Sequence, residues 1–148
     1  RHYTNDYFIE KFSLFNGRKI QVSVNNIIGF PDETREQIFE TIKLNRKIKA
    51  ESFGAYIFQP YYGTYLREYC IKKGYINDDY IAEDAHLGSG LKMPCITDDQ
   101  IRGLQRTFAL YVKLPESKFS DIMAAEKFDK HGNEKFKDLS ELYYASGY

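Results

Sequence analysis

The sequence predicts an α/β protein in which two parallel strands alternate with helices, followed by a helical C-terminal region. Three observations carry that expectation. Two runs rich in β-branched and aromatic residues, KIQVSVNNIIGF at 19–30 and ESFGAYIFQP at 51–60, have the composition of strands. They begin about thirty residues apart, the length of a right-handed βαβ unit. Each is followed by a stretch of helical period whose start is marked by a capping or acidic residue.

The elements follow in order. NDYFIEKFSLFN, residues 5–16, places Phe8, Ile9, Phe12 and Phe15 on one helical face, with Thr4 or Asn5 as a cap and Gly17 as a stop. The first strand is dense enough in apolar residues to predict burial on both faces, and hence a parallel sheet. The next helix, about 33–48, carries Ile38, Phe39, Ile42 and Ile48 as its stripe, with Asp32 and Glu33 at the positive end of its dipole. Pro60 closes the second strand. Thr64 caps a helix through Tyr65, Leu66, Tyr69 and Cys70, which Gly74 ends.

From about residue 77 the chain turns acidic and Gly-containing with little period, which predicts a long loop, functional or mobile. Thr97 and Gln100 then form a T-x-x-Q capping box ahead of a helix carrying Ile101, Leu104, Phe108, Tyr111 and Val112, ended by Pro115. Two further helices are expected at about 117–130 and 134–146, separated by a His131-Gly132-Asn133 turn. The chain thus divides into 1–76, a loop at 77–96, and a helical region at 97–148.

Composition narrows the function classes. The 148 residues with 43% hydrophobic and 16% aromatic content suffice for one real core. The 21 basic and 21 acidic side chains cancel, so nucleic acid is not an expected partner. No run reaches the ~18–20 apolar residues of a membrane span, and RHYTNDYF lacks the apolar core of a signal peptide, so a cytoplasmic location without membrane contact is expected. The opening Arg1, with no Met and no lead-in, is read as the interior of a longer protein.

Cys70 and Cys95 stand too far apart for a local metal knuckle, and no C-x-x-C pair exists, so no metal site is expected from this chain alone. A disulfide between them is conceivable; free thiols are commoner in the cytosol. Asp79, Glu83, Asp84 and His86 have a spacing that matches no known cation loop, and a solvated loop is the better reading. His131 is read as a helix end and not as a base. Tyr143, Tyr144 and Tyr148 either anchor the final helix or form a contact face, and 13 Tyr in all suit a piece partly buried against other parts.

Ligands of parallel α/β sheets bind at the carboxyl ends of the strands. Two turns lie there, GFPDET at 29–34 and QPYYGT at 59–64. Gly29 permits close backbone approach or an unusual φ, Pro31 and Pro60 stiffen the turns, and Phe30, Tyr61 and Tyr62 supply flat apolar surface. Neither turn has a G-x-G-x-x-G fingerprint or a P-loop Lys, so phosphate cradling is weakly supported. Gly, Pro and Asp form turns for structural reasons alone. Two such turns in consecutive βα units point to a pocket for an aromatic or adenine-like ligand.

VNNIIGFPDET, then about fourteen helical residues, then FGAYIFQPYYGTYLREYCIKKGYI resembles the fifth and sixth βα units of radical S-adenosylmethionine enzymes, closest to the group with an N-terminal cobalamin-binding domain. The family's I-x-G-x-P-x-E-T is met by Ile27, Gly29, Pro31, Glu33 and Thr34. Its F-x-P-Y-P-G-T-x-L is met by Phe58, Pro60, Tyr61, Gly63, Thr64 and Leu66, with Tyr62 where Pro is common. The opening RHYTNDYF is similar to the helix after the family's fourth strand. The likeness covers the first 76 residues well and the rest loosely.

The resemblance implies a partial (β/α)6 TIM-like barrel. A 4Fe-4S cluster on a C-x-x-x-C-x-x-C loop binds S-adenosylmethionine there, and one-electron reduction cleaves it to methionine and a 5′-deoxyadenosyl radical. Carried over, Asn25, Ile27, Gly29, Phe30 and Pro31 form one side of the adenine site, with backbone hydrogen bonds from around Gly29 and Phe30. Phe58, Gln59, Pro60 and Tyr61 close the other side. Ser23 and Asn25 are expected to point into the barrel.

The cysteine loop and the first four strands are absent from the sequence, so no cluster is expected to be held here and the piece alone is expected to be inactive. Cobalamin remains an option for the parent only. The expected partner is the N-terminal part of its own protein. The other reading is an autonomous α/β ligand-binding or protein-interaction module. An open two-strand piece further predicts self-association, or a C-terminal helical cap over the inner face.

Overall fold

Two parallel strands in register, Ser23 opposite Ser52 through Ile28 opposite Ile57, form the only sheet among the described residues. They are β1 (Ser23–Ile28) and β2 (Ser52–Ile57), seen in a computed structural model that describes residues 4–15 and 17–146. Before them lies α1 (Asn5–Ser13), whose cap Thr4 accepts the Tyr7 N–H. Between them runs α2 (Arg35–Arg46), and after them α3 (Tyr65–Lys72). The C-terminal region holds α4 (Asp98–Lys113), a short 3-10 turn at Glu116–Lys118, α5 (Phe119–Ala125) and α6 (Lys130–Ala145). This is the expected α/β architecture, and the sheet is open, with no closed barrel.

The expectation of strands buried on both faces is overturned. Val24 and Ile28 on β1, with Phe53, Ala55 and Ile57 on β2, are buried, while Ser23, Asn25, Ile27, Ser52 and Tyr56 are exposed. The cause is that all the covering helices lie on one side. α4 packs along β2 and α2, bringing Ile101, Leu104 and Phe108 into the core. The helical C-terminal region therefore covers the outer face and leaves the other bare, contrary to a cap over the inner face.

Local sequence explains most of the helix starts. Thr34 and Thr97 both make reciprocal capping boxes, with Gln37 and Gln100 respectively, and each satisfies two otherwise unpaired helix-start donors. Thr64 caps α3. Arg46 at the end of α2 donates to the carbonyls of Tyr111, Val112 and Leu114, which the α4 helix leaves unpaired at its C-terminus.

The last two helices break elsewhere than expected. His131, Gly132 and Asn133 lie inside α6, and the break falls at 126–129, where Asp129 accepts the Gly132 N–H. Gly132 is needed for packing and not for a turn, since a Cβ there would lie 2.0 Å from the Lys127 carbonyl oxygen. Tyr143 is half-buried and Tyr144 exposed, while Tyr148 and the opening Arg1-His2-Tyr3 lie outside the described residues.

The 77–96 stretch holds no helix or strand, yet it is not merely a solvated loop. Ser89, Leu91, Met93 and Ile96 are buried, and the Ala85 carbonyl accepts the Ile57 N–H at 2.9 Å, so the segment straps the outer edge of β2. His86 meets Gln105 through Nδ1 at 2.8 Å and its ring lies 5.2 Å from that of Tyr56. Among the described residues no three His, Cys, Asp or Glu side chains converge on a metal position. Cys70, buried, and Cys95, exposed, are free thiols. No helix among these residues is long and apolar enough to cross a membrane.

Candidate functional site

Side chains alternate across a strand, so one face of the sheet collects Ser23, Asn25 and Ile27 from β1 and Ser52 and Tyr56 from β2. Asn25 stands opposite Gly54, and Ile27 opposite Tyr56. At the carboxyl ends the chain rises into the two turns, and there the bare face deepens into a cleft of about 570 Å³. Its walls are largely apolar: Ile27, Phe30, Tyr56, Phe58, Tyr61 and Leu66, with Asn25 and Thr64 as polar points. The Phe30 and Phe58 rings, one from each turn, lie 5.1 Å apart and tilted by 36°. That spacing and tilt make an aromatic floor.

Of the nine nominated residues, Asn25, Ile27, Phe30, Phe58, Gln59 and Tyr61 line this cleft, whereas Gly29, Pro31 and Pro60 do not. Gly29 adopts φ 78°, and a Cβ there would sit 3.0 Å from Ile101 Cγ2, so its close approach is to α4 on the covered side. Pro60 is buried and its carbonyl accepts from Arg67 Nη1 at 3.0 Å. Gln59 reaches the cleft, but its amide is occupied by the strap: Nε2 donates to the Gly88 carbonyl and Oε1 accepts the Glu83 N–H.

The first turn is braced from within. Glu33 Oε2 accepts the N–H of Gly29 at 2.6 Å and of Phe30 at 3.1 Å. Burial pushes this carboxyl above its ordinary pKa, while the two backbone donors pull it down. Because both N–H groups are taken, backbone recognition of a ligand at this turn falls to carbonyl oxygens. The backbone hydrogen bonds to adenine expected around Gly29 and Phe30 would therefore be made by carbonyl oxygens and not by these two N–H groups.

The second turn is braced by Arg67. Buried at the start of α3, it donates to the carbonyls of Pro60, Asp78 and Tyr80, and its guanidinium stacks 3.7 Å from the centroid of the Tyr62 ring. Tyr62 and Tyr61 remain exposed at the rim. Residues that sequence reasoning passed over are Tyr56 and Leu66 in the walls and Arg67 beneath the rim. Period two along β2 from Ile57 marks Tyr56 for the bare face; a buried Arg has no comparable signal.

Comparison with known proteins adds relatives. The chain is 30% identical over 122 residues, 80% of its length, to an uncharacterized methyltransferase of Pyrococcus horikoshii, of which it covers 26%. It is 39% identical over 74 residues, 47% of its length, to a tRNA-2-methylthio-N(6)-dimethylallyladenosine synthase of Thermosipho melanesiensis, covering 16% of that protein. To the synthase of that name from Bacillus cytotoxicus it is 35% identical over 71 residues, 43% of its length, covering 13%. The chain spans about a quarter or less of the length of these relatives. No model of a protein family matches it, and no solved structure does.

Proposed function

We propose that the chain supplies the adenine-side wall of an S-adenosylmethionine site in a larger radical S-adenosylmethionine enzyme that transfers methyl or methylthio groups. One observation carries this reading. Residues of both motifs, Ile27 and Phe30 from the first and Phe58 and Tyr61 from the second, meet around one largely apolar cleft of about 570 Å³ at the carboxyl ends of parallel strands. The names of the relatives, a methyltransferase and two methylthio-adenosine synthases, support it.

The residues present fit the adenosyl part of the ligand. Ile27 offers one face for a planar ring, the Phe30 and Phe58 pair flanks it, and the Asn25 amide provides donors and acceptors for a polar edge. Bound S-adenosylmethionine supplies the methyl group and, in the radical family, the capacity to abstract hydrogen. These side chains orient the ring and exclude water from it.

They do not fit an iron–sulfur cluster. The chain has two cysteines, one buried in the core and one exposed, where three converging thiolates are needed. In this proposal the cluster belongs to the remainder of a protein of the relatives' length. Cobalamin enters only through the group whose motifs the turns resemble.

Titration calorimetry of the chain with S-adenosylmethionine and with 5′-deoxyadenosine tests the wall. Weak, roughly millimolar binding of both is expected. Ile27→Asp, at an exposed position, should abolish it with an unchanged melting temperature. If neither ligand binds, the bare face is better read as the contact face of an autonomous α/β interaction module.

A further inference from the structure

Asp32 is the only residue other than glycine with positive φ, 63°, among the described residues. Asp is one of the few residues other than Gly that adopt that region readily, so the turn conformation suits it, and what its carboxylate touches is the informative feature. It accepts hydrogen bonds from two phenols at once: Tyr69 on α3, at 2.5 Å, and Tyr75 just beyond the end of α3. Lys73 Nζ stands 4.0 Å away. Three side chains from α3 and its exit thus converge on one residue of the first turn.

α3 makes no extensive packing with any other helix or strand; Cys70, with Leu66 and Ile71 partly buried, seats it on the core, and Arg67 bonds to the carbonyls of Pro60, Asp78 and Tyr80. None of these contacts is a hydrogen bond to the first turn, which Asp32 supplies. The helix also carries one wall of the cleft, through Thr64 at its cap and Leu66 in its first turn. The opposite wall, Phe30, lies two residues before Asp32. The bonds from Tyr69 and Tyr75 to Asp32 therefore tie the segment that carries Phe30 to the helix that carries Thr64 and Leu66.

We propose that Asp32 is a positioning residue. By accepting hydrogen bonds from both phenols it fixes α3 against the first turn and holds the two sides of the cleft in place, so that the site is preformed before a ligand arrives. Glu33, its neighbour, shapes the turn itself. Asp32 fixes the turn to the opposite wall. The inference rests on the cleft being a ligand site, but the grip on α3 is measurable without any ligand.

Hydrogen–deuterium exchange of the 148-residue chain tests it, comparing wild type with Asp32→Gly, Asp32→Asn and the Tyr69→Phe/Tyr75→Phe double variant. Asp32→Gly keeps the backbone conformation at no steric cost and removes only the carboxylate. The α3 amides, residues 65–72, are expected to exchange at least about tenfold faster in Asp32→Gly and in the double variant, with α2 and α4 unchanged. Asp32→Asn, which retains one acceptor oxygen, should fall between. Uniform acceleration across α2, α3 and α4 would show a merely structural role, and unchanged α3 exchange would refute the grip.

In parallel, the affinity for S-adenosylmethionine should weaken by about tenfold in Asp32→Gly and recover in part in Asp32→Asn. Unchanged affinity in Asp32→Gly would overturn the positioning role even if α3 loosens. If the wild-type chain does not bind S-adenosylmethionine, the cofactor reading fails by itself, and the exchange comparison still decides whether Asp32 holds the wall.

Discussion

The two faces of the sheet are built from alternate residues of the same twelve positions and could hardly be treated more differently. On one face Val24, Ile28, Phe53, Ala55 and Ile57 disappear beneath α2 and α4; on the other, Ile27 is 54% exposed and Tyr56 39%. Large apolar side chains on an uncovered sheet face are not explained by the folding of this chain. On the function proposed above they form the wall that a ligand or more of the same polypeptide covers.

Neighbouring residues on β1 give the sharpest test of that difference. Ile28 is fully buried, so Ile28→Ala should lower stability by about 3 kcal/mol, whereas Ile27→Ala, one residue away, should change it by less than about 0.5 kcal/mol. Urea denaturation followed by circular dichroism measures both. Similar losses at the two sites would mean that the bare face is covered in solution.

The next effect in size is at Gly29. Any side chain there must adopt φ 78° and meet Ile101, so Gly29→Ala should cost about 2 kcal/mol. Combining it with Ile101→Val should recover part of that loss, because the 3.3 Å contact is with the Cδ1 methyl that Val lacks. A loss that Ile101→Val leaves untouched would assign the cost to the backbone conformation and to the 3.0 Å contact with Cγ2, which Val keeps. Either result shows that a motif glycine serves the covered face while its neighbours Ile27 and Phe30 serve the open one.

Smaller still is the effect of concentration. The edge of β2 is closed by the 77–96 strap, while β1 has no strand on its other side among the described residues. Weak self-association through the bare face and the β1 edge is expected, and Ile27→Asp should suppress it in sedimentation velocity at tens of micromolar. A wild-type chain that stays monomeric and binds no apolar dye would contradict this.

What could be read in the sequence was what is local. The Thr97-Gln100 capping box, the Thr64 cap, the stop at Gly74 and the two strand runs all depend on residues within a few positions of each other, and each is found in place. The turns at the strand ends also pointed to the cleft, though not to which glycines and prolines face it. Contacts that close over long separations were silent. The Arg35 fork on Glu126, joined there by Tyr111, ties α2 and α4 to α5 across 91 residues, and no pattern announces it. His131-Gly132-Asn133 has turn composition, but the crowding at the Lys127 carbonyl that requires Gly132 exists only in three dimensions. One-sided burial was also illegible, because strand composition records the burial a segment is suited for and not the number of layers present.

The finest division lies within the first turn, where adjacent carboxylates have opposite pKa shifts. The phenols of Tyr69 and Tyr75, with Lys73 nearby, hold Asp32 below its ordinary value, and the Tyr75 phenol in return is pushed up to about 12. Burial holds Glu33 above its ordinary value. For Asp32 the unfolded chain binds its proton more readily than the folded one, so the stabilisation is present above the unfolded pKa and is lost as the pH falls through the folded value. For Glu33 the folded chain binds the proton more readily, so ionising it costs stability as the pH rises from the unfolded value through the folded one. The two opposing slopes sit side by side in the acid range and partly cancel. Asp32→Asn should therefore flatten the loss of stability at and below the ordinary Asp range, and Glu33→Gln, whose amide oxygen still accepts the two N–H groups, should steepen the net loss on acidification from above the ordinary Glu value down through it. Melting temperatures of the three proteins across pH 3 to 7 measure both slopes. Parallel profiles would mean that neither carboxylate is held as the turn geometry requires, and α3 would then be held by Arg67 and by the packing of Leu66, Cys70 and Ile71 on the core, not by the first turn.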